Sequence, residues 1–89
     1  MRPAEKRPLT SVQIRAARAL LGWTASELSR QSAVSLRTIQ RAELQETSMT
    51  AANDLAVRRS LEAAGVEFID ENGGGPGVRL RKRQRLKKT

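Results

Sequence analysis

The sequence predicts a mainly α-helical domain of four helices closed by a C-terminal β-hairpin. Three observations predict it. Apolar residues recur at helical spacing up to about residue 64, four Ser or Thr residues stand where helix N-caps are needed, and past Gly65 the period drops from helical to two. Eighty-nine residues suffice for one such domain and not for two. Hydrophobic residues make up 38% of the chain and aromatics 2%, so the core must be built from Leu, Ile, Val and Ala with Trp23 and Phe68 as its large rings. A core this small is marginal by itself, and a chain with no Cys and no His has neither a disulfide nor a Cys/His zinc site to supplement it. Oligomerisation is the remaining device.

Residues 1–9, with Pro3, Pro8 and mixed charge, lack periodicity and are expected to form a flexible arm. Thr10 or Ser11 then caps a first helix over about 11–21, with Ile14, Ala17 and Leu21 on one face beside Leu20, and Gly22 ends it. Thr24-Ala25-Ser26-Glu27 has the spacing of a capping box, in which the Thr24 hydroxyl takes the amide of residue 27 and the Glu27 carboxylate returns to the cap amide. Trp23 and Leu28 sit at the two positions of a hydrophobic staple around the same boundary. This starts a second helix at about 24–32.

Eleven residues further on the arrangement returns, with Ser35 as the cap and Val34 and Ile39 as the staple, and opens a third helix over about 35–44. Gln31 to Val34 leave room only for a tight turn, so helices two and three are short and meet at a sharp angle, as in a helix-turn-helix. Thr50 caps a fourth helix with Val57, Leu61 and Ala64 facing the core and Gly65 at the left-handed position after its end. The helical part is thus expected over residues 10–65. Val66 to Asp70 and Val78 to Arg81 alternate at period two around a Gly-rich loop, which predicts a hairpin over 66–81.

The net charge of +8 is unevenly spread. Residues 79–88 hold seven basic side chains and no acid, whereas residues 1–78 hold ten basic against nine acidic ones. A basic tail over 82–89 is expected to be disordered without a partner and is suited to phosphate contact. With no thiol and no imidazole the common nucleophiles, bases and transition-metal sites lack their residues, so no enzyme and no cofactor is expected. The longest uncharged run, Ala19 to Ser26, is far short of a membrane span, and a cytoplasmic protein is expected.

The runs Leu20-Leu21-Gly22-Trp23-Thr24, Glu27-Leu28 and Val34-Ser35-Leu36-Arg37-Thr38-Ile39-Gln40-Arg41-Ala42-Glu43 resemble the lambda-repressor and Cro-like helix-turn-helix family, also called the xenobiotic-response-element type. The resemblance implies a bacterial transcriptional regulator that lays its third helix in the major groove of double-stranded DNA. It aims Ser35, Leu36, Arg37, Gln40 and Arg41 at base edges, and side-chain chemistry agrees: Arg bonds guanine O6 and N7 together, Gln does the same for adenine N6 and N7, and Leu36 suits a thymine methyl. Thr24, Thr38, Arg15 and Arg18 are expected at phosphates. The resemblance also implies an ion pair between Arg18 and Glu43. Arg30, Arg58 and Arg59 are expected to be solvated charges, and Trp23 a structural residue. Two positions depart from the family: Ala33 stands where Gly is usual in the turn, and Ala25 where a phosphate-touching Gln is usual.

The apolar face of the hairpin, Val66, Phe68, Val78 and Leu80, must be covered either by helices of its own chain or by a second copy. The sequence favours the second, because dimers of such domains place two recognition helices about one turn of DNA, ~34 Å, apart on a palindrome. Two other functions use the same fold: the antitoxin of a toxin–antitoxin pair, and an anti-activator that binds protein and reads no DNA.

Overall fold

The computed structural model describes residues 8–44, 49–70 and 73–81. They form α1 (Ser11–Leu21), α2 (Ala25–Ser32), α3 (Leu36–Glu43), α4 (Ala51–Ala63) and an antiparallel hairpin of β1 (Val66–Ile69) and β2 (Gly77–Leu80). The expected basic tail and most of the expected N-terminal arm lie outside the described residues. Among those described, no helix is long and apolar enough to cross a membrane.

Each helix begins where a hydroxyl satisfies an otherwise unpaired amide. Thr10, Thr24, Ser35 and Thr50 accept from the amides of Gln13, Glu27, Thr38 and Asn53 at 3.0–3.1 Å. The full capping box stands at α1, not α2. The Gln13 side chain returns to the Thr10 amide at 3.1 Å, whereas the Glu27 carboxylate accepts from Gln31 Nε2 at 2.7 Å and from Arg30. The expected reciprocal bond at Glu27 is corrected accordingly: two donors one turn ahead on the same face compete for the carboxylate. At the other ends, Gly22 closes α1 with φ 71°, and Gly65 follows α4 with φ 113° while its amide bonds the Glu62 carbonyl at 3.0 Å.

The core gathers one face from each helix and from β1: Ile14 and Ala17 of α1, Leu28 of α2, Ile39 and Ala42 of α3, Val57 and Leu61 of α4, and Val66 of β1. Six of these larger side chains are essentially inaccessible, and each such burial contributes about 1.5–3 kcal/mol. Leu9 belongs to this core as well, and its amide donates to Asp54 Oδ1 at 3.0 Å. The ordered domain therefore starts before residue 10, which shortens the expected arm.

The hairpin register pairs Val66 with Leu80 and Phe68 with Val78, which puts these four side chains on one face. That face packs on α1 and α4 of the same chain, with Val66 fully buried and Phe68, Val78 and Leu80 partly buried against the core. The face that the sequence assigned to a second copy is thus covered in part by helices of its own chain. The helices leave an apolar surface that the hairpin fills in cis. Gln13 ties the arrangement, since its buried side-chain amide donates to the carbonyls of Gly77 at 3.1 Å and Ile69 at 3.4 Å. Arg81 closes the other end, its amide on the Gly65 carbonyl and its guanidinium on the Glu62 carbonyl, both at 2.7 Å.

Candidate nucleic-acid interface

Between α2 and α3 the chain turns in three residues, Ala33 to Ser35. The amide of Ala33 makes the last bond of α2, to the Ser29 carbonyl at 2.9 Å, and its backbone is left-handed with φ 63° and ψ 22°. A residue with a Cβ holds that conformation at a cost of about 1 kcal/mol. Val34 points into the core and Ser35 opens α3.

An eight-residue helix has two faces, and α3 divides them sharply. Ile39, Ala42 and Glu43 are buried, while Arg37, Gln40, Arg41 and Leu44 are exposed at i, i+3, i+4 and i+7 and so share one stripe. Of the residues expected at base edges, Arg37, Gln40 and Arg41 lie together on this outer stripe and Ser35 lies exposed at its start. Leu36 is half-buried, which limits its reach. The Ser35 hydroxyl is engaged at its own helix end, donating to Thr38 Oγ1 at 2.9 Å and accepting from the Thr38 amide. Thr38 is itself half-buried. Thr24, at the start of α2, and Arg15, on α1, are exposed.

The far end of α3 is clamped to α1. Arg18 Nε and Nη2 donate to the two carboxylate oxygens of Glu43 at 2.7 and 2.8 Å, and Nη1 donates to the Trp23 carbonyl at 3.0 Å. Glu43 is buried and the Arg18 side chain is 21% exposed. Hydrogen bonding to Glu43 raises the Arg18 pKa above its ordinary value against the burial that opposes it. Arg18, expected at a phosphate, thus spends three of its five N–H groups on inward bonds.

Arg58 differs from its expectation too. It is a buried cation with its guanidinium 5.2 Å from the centroid of the Phe68 ring and 3.8 Å from Glu62, not a solvated charge. Arg30 and Arg59 are exposed, as expected. An open groove beside α4, lined among others by Pro8, Met49, Asp54, Leu55 and Arg59, has no α3 residue in its wall.

Sequence reasoning passed over Gln13 and Ser29 as structural partners and misread the buried Arg58. Gln13 carried a readable signal, since Thr10-Ser11-Val12-Gln13 has capping-box spacing. No local pattern marks the other two. No protein-family model and no curated protein matches the chain.

Proposed function

We propose that this chain is a sequence-specific, DNA-binding transcriptional regulator of the lambda-repressor and Cro-like helix-turn-helix type, acting as a homodimer on a palindromic operator. The observation that carries the proposal is the outer stripe of α3. Two arginines and a glutamine share the exposed face of a short helix whose inner face is fixed by Ile39, Ala42 and the Glu43–Arg18 clamp. A helix presented this way fits the major groove, where Arg37 and Arg41 each take a guanine edge and Gln40 an adenine edge. Thr24 and Arg15 hold phosphates and set the register without reading sequence. Occupancy of a promoter then controls transcription, with no cofactor needed.

The two-fold pairing follows from the need for two half-sites. The test is a gel shift with genomic fragments across a salt series, beginning with the promoter of the chain's own gene. Arg37→Ala and Arg41→Ala are each expected to weaken specific binding by roughly 1–3 kcal/mol and to relax base preference. Weak, salt-sensitive shifts that are equal in wild type and double mutant would sink the proposal and turn the search to a protein partner, as for an antitoxin or anti-activator.

A further inference from the structure

The turn before α3 combines two features that the base- and phosphate-contacting residues do not include. Ala33 is left-handed, and the Ser29 hydroxyl reaches forward across the turn to donate to the Val34 carbonyl at 2.7 Å. Ser32 holds Val34 from its other side: its hydroxyl accepts from the Val34 amide at 3.2 Å while donating to the Leu28 carbonyl at 2.7 Å. Both polar backbone groups of the residue before the Ser35 cap are therefore gripped by α2. A left-handed alanine relaxes toward negative φ, and rotation there tilts the start of α3 against the hold of its buried face and the Arg18–Glu43 clamp.

We infer that Ser29 is a positioning residue, whose hydroxyl offsets the strain at Ala33 and fixes the angle at which α3 leaves the turn. The consequence for DNA rests on the proposed function. The Cα of Arg41 lies ~9 Å along the helix from Ser35, so a swing of roughly 10° moves it by about 1.6 Å. Paired hydrogen bonds to a base edge need placement within about 0.5 Å. Phosphate contacts through long side chains tolerate more. Losing the Ser29 hydroxyl thus erodes discrimination between sequences and spares general affinity for DNA.

The test compares Ser29→Ala and Ser29→Thr, each with Ala33 intact and in the Ala33→Gly background. A site is selected by the wild-type chain from a random duplex pool, and its affinity is measured against a scrambled duplex at fixed salt. Amide exchange at Ala33, Val34 and Ser35 is followed without DNA. Ser29→Ala is expected to lower the selected-to-scrambled ratio roughly 3- to 10-fold, the worth of one hydrogen bond, and to speed exchange at Val34. Ser29→Thr retains both properties. In the Ala33→Gly background, where the strain is gone, Ser29→Ala has less than half the effect on either readout. Exchange unchanged by Ser29→Ala, or equal effects in the two backgrounds, would overturn the inference. A selected-to-scrambled ratio untouched by Ser29→Ala would overturn it as well. If the wild type selects no sequence, the DNA proposal alone falls, and the exchange comparison still decides the role of Ser29.

Discussion

Glu43 is buried, and among the described residues Arg18 is the cation that answers it. Arg18 meets both carboxylate oxygens and turns its remaining nitrogen to the Trp23 carbonyl. Removing Arg18 leaves an uncompensated charge in the interior, which costs about 3–5 kcal/mol, whereas exposed pairs contribute about 1 kcal/mol or less. Arg18→Ala is therefore expected to lower the urea midpoint severely, and Arg18→Met combined with Glu43→Leu to recover most of the loss. A single-variant cost near 1 kcal/mol would mean that the pair behaves as an exposed one. The Arg79–Glu67 pair across the hairpin is such a case, more than 40% exposed on both sides, and matters little to stability.

Among the elements, α2 links stability to pH. Bonding to Gln31, and next to Arg30, holds the Glu27 carboxyl below its ordinary pKa. A carboxyl whose folded pKa is depressed adds stability above its unfolded value, about 4.3, and loses it as pH falls through the lower folded value. Melting temperature is expected to fall slightly as pH drops below about 4.3, the effect being small because the group is solvent-screened, and Glu27→Gln is expected to flatten part of that fall. A pH profile identical in the two proteins would count against the assignment. The element ends were legible because caps act over three residues: Thr24, Ser35, Thr50, Gly22 and Gly65 all mark boundaries that the structure has. Capping-box spacing misled at Glu27 and was passed over at Gln13, since spacing does not weigh the competing donors Arg30 and Gln31. The outer stripe of α3 came from family resemblance, with helical period setting Arg37 and Arg41 on one face and the resemblance overreaching at half-buried Leu36. The Glu43 clamp came from family resemblance, and the burial of Arg58 came from neither, because Phe68 sits ten residues away on a strand.

In the whole molecule, packing the hairpin on α1 brings the first described helix against the last described strand. The tail beyond it carries five basic residues over 82–89. Under the proposed DNA-binding function, deleting these residues is expected to reduce the slope of log DNA affinity against log salt by about 0.9 for each phosphate the tail neutralises, with preference between sequences unchanged. An unaltered slope would assign the tail no part in binding. Gln13 has a different reach: its amide bridges the two strands from residues 56 and 64 positions away in the chain. Contacts so distant in sequence close late, after the helical turns and their short connections have formed, and interactions absent from the folding transition state govern the rate of escape. Leaving those partly buried carbonyls without their donor costs about 1–3 kcal/mol. Gln13→Ala should then leave the folding arm of a stopped-flow chevron nearly unmoved and raise the unfolding rate roughly 5- to 100-fold. The lifetime of the native state, and with it resistance to proteases, hangs on one glutamine that joins the two ends of the fold.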